Sequence, residues 1–194
     1  MVKGWMLNRK RKVVGISGSL RKDSYNRVLL REIAQEQRED MDVSIFNLKH
    51  IPLFNADIEV NGDPEAVEDF KEAIREADGL LIVTPEYSHG MPGVLKNALD
   101  WASSMTNENV MDGKPAFVLG ASPAKLGAAF SQAQVKQSLA AAGALVLQQP
   151  ELYIGQVNKK VDDAGTLTDE DTKSALQQSL NDFSSWIETM SSRP

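Results

Sequence analysis

The chain has 194 residues, a formal net charge of −6, 42% hydrophobic residues and no cysteine. That length suits one domain burying roughly 70% of the unfolded chain's surface, and no uncharged apolar run reaches the ~18 residues of a membrane helix. Without cysteine there are no disulfides, thiolate zinc sites, Cys-ligated iron–sulfur clusters or thiol nucleophiles, so any chemistry rests on oxygen and nitrogen groups or on a cofactor.

Residues 1–12 carry five of the 21 Lys and Arg and no acid, which leaves 16 basic against 27 acidic residues, a net −11, for the rest. They read as a flexible basic extension before a domain at 13–194. The acidic body argues against a nucleic-acid surface, and the apolar content of the extension is too short for a secretory signal, so the expected compartment is cytoplasmic. Val13–Ser17 is a short apolar run suited to a buried strand. Residues 24–38 follow as a helix with Tyr25, Leu29 and Ile33 on one face. Asp42–Phe46 alternates as a second strand. Asp63-Pro64 combines a cap with a proline for the first turn of a helix carrying Val67, Phe70, Ile74 and Ala77. Gly79–Thr84 (GLLIVT) is the clearest buried strand, followed by a helix from Pro92 to Ser103. Ala116–Gly120 is a strand, 127–142 an Ala-rich helix, Ala144–Leu147 a strand and Leu152–Ile154 a further extended piece. Thr168 caps a last helix with the stripe Leu176, Leu180, Phe183 and Ile187, after a polar loop at 156–166. Strands alternating with helices in this way make a parallel α/β sheet covered on both faces.

Open sheets of this kind bind ligands beyond the carboxyl ends of their strands. After the first strand stands Ser17-Gly18-Ser19-Leu20-Arg21-Lys22-Asp23-Ser24-Tyr25-Asn26. Small residues, hydroxyls, a guanidinium and an amide at a helix start compose an anion site. The spacings of the P-loop, the dinucleotide loop and the nucleophile elbow are all absent. What remains is a hydroxyl-rich loop suited to one phosphate monoester, against the alternative of a plain capped turn. After the third strand, Thr84 to Gly93 holds two prolines and two glycines, a shaped loop with one aromatic and one imidazole. It suits a flat heteroaromatic ring; the alternative is a tight connector in which Tyr87 covers the core edge. Ala121 to Gly127 forms a third small-residue loop able to approach the other side of such a ring.

The stretches GSLRKDSYN at 18–26 and PEYSHGMPGVLKNALDW at 85–101 resemble the NADPH-dependent FMN reductase family, which includes quinone, chromate and azobenzene reductases, and the resemblance runs from Val13 to about Met190. It implies a flavodoxin-like three-layer fold with a five-stranded parallel sheet of order 2-1-3-4-5. It also implies a bound FMN, electrons from NADPH or NADH, and a homodimer or homotetramer. Position by position, Ser19, Arg21, Ser24 and Asn26 match the phosphate ligands. Pro85, Glu86, Tyr87 and Ser88 match the stretch against the isoalloxazine, and Ser122 and Gly127 a loop near its other edge. Many relatives read PEYN with a serine two positions on, where this chain has Ser88 and Gly90. In several relatives the third loop is richer in glycine and ends in arginine, where Pro123, Ala124 and Phe130 stand here, which leaves the nicotinamide preference and the substrate contacts open.

The activity so implied is ping-pong transfer of electrons from NAD(P)H to quinones, azo compounds, chromate or free flavin. His89 is the candidate proton donor, set against a role in lining the mouth or a subunit contact. Glu86 either binds a cation or caps nearby N–H groups, and Leu99 and Trp101 belong to the core or a dimer interface rather than a substrate platform. Two histidines without a third ligand give no metal site. A flavodoxin-like carrier of electrons between proteins is the competing reading.

Overall fold

The computed structural model describes residues 9–192. Its sheet has the order β2-β1-β3-β4-β5, built from β1 (Arg11–Ser17), β2 (Met41–Phe46), β3 (Gly79–Thr84), β4 (Pro115–Ser122) and β5 (Leu145–Val146), all parallel. A sixth strand, β6 (Tyr153–Gly155), pairs with the last three residues of β4, while β5 pairs with its first two. The outer position beside β4 is therefore shared by two short strands.

Side chains alternate across this sheet because successive residues of a strand face opposite ways. Val14, Ile16, Leu80, Ile82, Ala116 and Val118 meet α3 (Glu65–Glu76), α4 (Gly93–Ser103) and α5 (Ala129–Ala141). Val13, Leu81, Val83, Phe117 and Leu119 meet α1 (Tyr25–Gln35) and α6 (Glu170–Ser191). A central strand with both faces covered must be apolar throughout, and all six residues of β3 are buried.

Several local expectations shift. β1 begins at Arg11, so part of the expected extension is strand; Arg9 pairs with Asp78 at 2.7 Å and Arg11 with Glu188 at 2.8 Å, and residues 1–8 lie outside the described residues. The first helix ends at Gln35 rather than 38, where Arg38 turns back onto Asp40 with two 3.0 Å hydrogen bonds. Asp63 does not cap α3: Pro64 occupies the N-cap position, and the Asp63 carboxylate lies 2.6 Å from Lys71 Nζ. Thr168 does not cap α6, because its N–H and hydroxyl still bond Lys160 C=O in an extended turn; Asp169 caps instead, accepting from Thr172 N at 2.9 Å. The segment between β2 and α3 holds a 3-10 turn at Leu48–His50 and a short helix, α2 (Ala56–Glu59), that the hydrophobic pattern does not announce.

That segment is fastened from inside. Trp101, fully buried on α4, donates its indole N–H to Pro52 C=O at 2.9 Å, and Asn97 donates to the same carbonyl while accepting from Phe54 N. Leu99 and Trp101 are thus core residues. Lys71, 0% exposed on the inner face of α3, lies between Asp63 and Glu59, with Glu59 Oε1 at 3.8 Å; Ser104 donates to Glu59 Oε2 and Asn107 to Asp63 Oδ1.

Candidate functional site

The strand order reverses between β1 and its neighbours β2 and β3, and the loops after β1, β3 and β4 gather beyond the carboxyl ends of those strands.

In the first loop, Ser17 Oγ accepts from Ser19 N and Ser19 Oγ from Arg21 N, each at 3.3 Å. Ser24 occupies the N-cap of α1, is buried, and makes no capping hydrogen bond. The N–H groups of Tyr25 and Asn26 find no acceptor among the described residues. An unpaired hydroxyl on a largely buried residue, beside unpaired helix N–H groups, is an incomplete arrangement that an anion completes. Arg21 is exposed at the rim. Asn26 behaves differently from the expectation of a ligand pointing at phosphate: its amide accepts from Ala121 N at 2.9 Å and donates to Ala121 C=O at 3.0 Å. It clamps α1 to β4, and one Nδ2 hydrogen is left for anything else.

The second loop is a tight two-residue turn. Tyr87 and Gly90 exchange backbone hydrogen bonds of 3.1 and 3.0 Å, with Ser88 and His89 at φ 49° and 57°. Two left-handed residues in succession describe a type I′ geometry, which turns the Ser88 and His89 N–H groups away from protein acceptors. Tyr87 Oη is 3.4 Å from Ser19 Oγ, so the first two loops touch. Pro85 C=O accepts from the buried Thr84 hydroxyl, which fixes how the loop leaves β3.

Of the two roles weighed for Glu86, capping is what the structure shows: its carboxylate accepts from Phe130 N at 2.9 Å and Ser131 N at 3.3 Å, the first turn of α5. His89 Nδ1 lies 3.6 Å from the other carboxylate oxygen, and the imidazole, 80% exposed, meets the Phe130 ring edge-on at 5.3 Å.

In the third loop Ser122 Oγ accepts from Ala124 N at 3.1 Å. Gly127 has φ +57°, and a Cβ there would lie 2.5 Å from the Tyr153 backbone, so only glycine lets the loop pass β6 so closely. Gln132 fixes this passage, donating to Gly127 C=O and Leu152 C=O. Gln132 and Gln134 escaped the sequence reading. A glutamine at position 132, in step with the buried Ala128, Val135 and Leu139, was the available signal.

Among the described residues no group of three His, Asp or Glu side chains could hold a metal ion, and no helix is long and apolar enough to cross a membrane. The arrangement instead offers hydroxyl and N–H donors at one end and an exposed two-residue turn beside a second loop at the other. These suit a phosphate joined to a flat ring.

Comparison with known proteins gives the same answer. The model of the NADPH-dependent FMN reductase family matches residues 11–159. The chain belongs to this family. It is 42% identical over 176 residues to an NAD(P)H-dependent FMN reductase of Pseudomonas aeruginosa, covering 91% of this chain and 95% of that one. It is 38% identical to a 2-hydroxy-1,4-benzoquinone reductase of a Burkholderia species, with 91% and 96% covered. Among solved structures, the flavoenzyme FerB, an NAD(P)H:(acceptor) oxidoreductase of Paracoccus denitrificans, superimposes with a TM-score of 0.81 at 36% identity, over 93% of this chain and 98% of that one. This FMN reductase family member is thus a flavodoxin-like oxidoreductase that uses FMN with NADH or NADPH as co-substrate.

Proposed function

We propose that the protein transfers electrons from NAD(P)H to a small aromatic acceptor, a quinone foremost, over an FMN held by the three loops. The observation that carries the reading is the buried, uncapped Ser24 beside two unpaired N–H groups, 3.4 Å contact between the first and second loops completing the slot. In this reading Ser19, Ser24 and the N–H groups of Tyr25 and Asn26 hold the phosphate, with Arg21 closing over it from the rim. Pro85, Glu86, Tyr87 and Ser88 lie along the ring through their backbone, and Ser122 and Gly127 border its far edge. FMN, when bound, supplies reversible two-electron chemistry. The chain's part is to orient the ring, offer N–H dipoles to negative charge, and leave one face open.

Openness favours an enzyme over a carrier between proteins. The turn at 87–90 is only two residues long, and NAD(P)H and acceptor can use the same face in alternation, a ping-pong order. Leu20, Tyr87 and Phe130, each close to half exposed on the three loops or directly after them, give the rim an apolar and aromatic character. That supports quinones and azo compounds ahead of chromate, with free flavin as a further flat acceptor. The benzoquinone reductase among the relatives supports the same choice. His89 is assigned the donation of a proton to a reduced acceptor, a reading supported by its exposure on the turn, edge-on to Phe130. Availability of reduced nicotinamide makes the cytoplasm the compartment. A homodimer or homotetramer is part of the proposal, supported by the exposed apolar side chains of Leu53, in the segment packed on α4, and Met105, just after α4.

Rapid mixing of the yellow protein with NADH or NADPH tests the function. Fast bleaching and re-oxidation by a benzoquinone, with parallel double-reciprocal plots, are expected. A protein that neither binds FMN nor is bleached by either nucleotide refutes it, and binding without bleaching supports the carrier.

A further inference from the structure

Every polar tie from the loop after β3 to the body of α5 falls within its first two turns. Glu86 accepts from Phe130 N and Ser131 N, Ser131 Oγ is 2.8 Å from Thr84 Oγ1, and Gln134 Oε1 accepts from Met91 N at 3.0 Å. The helix needs this help. Its own N-cap position is Ala128, at φ 64°, with no side chain able to accept a hydrogen bond. An acidic side chain at that end also meets the positive pole of the helix. Because α5 follows directly from the third loop, a bond from Glu86 to its first turn joins the second loop to the third.

We infer that Glu86, seconded by Gln134, is a positioning residue that sets the separation of the two loops bordering the flavin ring, and that its carboxylate touches α5 and not the cofactor. The inference rests on the proposed seat of FMN between those loops. Its sharpest consequence concerns the conservative variant. One oxygen accepts from both N–H groups and the negative charge adds a smaller attraction to the helix pole, so Glu86→Gln largely retains the clasp and Glu86→Ala loses it.

The test uses purified flavin-loaded protein diluted to follow FMN release by recovery of flavin fluorescence, together with amide hydrogen exchange at residues 130, 131 and 91. Glu86→Ala is expected to weaken FMN retention about ten-fold and speed exchange at 130 and 131, losing charge-assisted hydrogen bonds that hold a binding geometry. Glu86→Gln is expected within about three-fold of wild type with exchange near normal, one acceptor oxygen being kept. Gln134→Ala, which removes the bond from Met91 N and leaves the Glu86 bonds in place, is expected to speed exchange at 91 and weaken retention about three-fold, as loss of one neutral hydrogen bond does. The inference is overturned by wild-type retention in both alanine variants. It is equally overturned if Glu86→Gln releases FMN as fast as Glu86→Ala with exchange at 130 and 131 unchanged, since charge would then act on the cofactor itself. A wild-type protein that takes up no FMN refutes the proposed function instead, and the exchange rates still report on the clasp.

Discussion

Replacing Lys71 with methionine removes the cation from a buried cluster of three charges while keeping a chain of similar length. The ammonium lies 2.6 Å from Asp63 and 3.8 Å from Glu59, and the side chains of all three are 0–4% exposed. At an effective dielectric of about 20 these separations correspond to attractions of about 6 and 4 kcal/mol, against which the desolvation of three ions counts several kcal/mol each. The intact cluster is therefore close to neutral for stability, but its loss is not symmetrical. Without Lys71 two carboxylates stay buried with only Ser104 and Asn107 as side-chain donors. We expect a loss of about 3–5 kcal/mol, the usual cost of breaking a buried pair from one side. That corresponds to a fall in Tm of roughly 6–20 °C for a domain of this size. Urea unfolding followed by tryptophan fluorescence, with midpoints compared at constant slope, measures it. Adding Glu59→Gln to Lys71→Met should restore about 1–3 kcal/mol by removing one uncompensated charge. A single-variant loss below about 1 kcal/mol, or a double variant no better than the single, would refute the description of a dry cluster held by one central cation.

Asn26→Ala should destabilise the fold by about 1–3 kcal/mol, because it orphans both backbone groups of Ala121, and should weaken FMN retention through displacement of α1; calorimetry and fluorescence of released flavin check the two effects. Ser88→Gly should raise thermal stability by about 0.5–1 kcal/mol, relieving a left-handed non-glycine residue, and unchanged or lower stability counts against the turn geometry. Burial pushes the Asp78 carboxyl up, but hydrogen bonds from Arg9 and Lys12 N–H and the nearby charges of Arg9 and Lys114 outweigh it and hold it below its ordinary 3.8. A depressed folded value contributes stability above the unfolded one and loses it as pH falls, so the gap between wild type and Asp78→Asn should be full at neutral pH and close below about pH 4. Tyr153 is pushed up to about 12, first by burial and then by its hydrogen bond to Glu151. Its contribution should disappear as pH rises from about 10 toward 12, and Tyr153→Phe should flatten that alkaline limb in tyrosinate-monitored unfolding.

What the sequence made legible was whatever local pattern controls. GLLIVT has no polar face to hide and reads directly as the central strand, and the loops after β1 and β3 stand out because serine, proline and glycine crowd there. Contacts between distant residues were not legible. Asn26 looks like a phosphate donor by its neighbours, yet its partner is Ala121, 95 residues away. Lys71 falls in step with Val67, Phe70 and Ile74 on the buried side of α3, but its partners Asp63 and Glu59 come from the preceding segment, and no local pattern announces that pairing. Asp63-Pro64 and Thr168 carry sound capping chemistry, but a buried lysine claims the first and an extended turn the second. The choice between Glu86 as ligand and Glu86 as cap depended on where α5 begins, which the Ala-rich stretch at 127–142 does not disclose.

The division of the outer sheet position between β5 and β6 bears on how copies of this protein can meet. An exposed strand edge invites pairing with another chain, in proportion to its length and flatness. On one side the margin consists of two residues and then three, interrupted between Val146 and Tyr153. On the other, β2 is six residues long and turns Asp42 and Ser44 outward. The first margin is therefore broken, and the second is continuous but carries exposed polar side chains. Sheet extension is thus disfavoured at the β5 and β6 margin, and any contact between copies made through helices and loops would leave the strand ends, and the slot above them, clear of strand pairing.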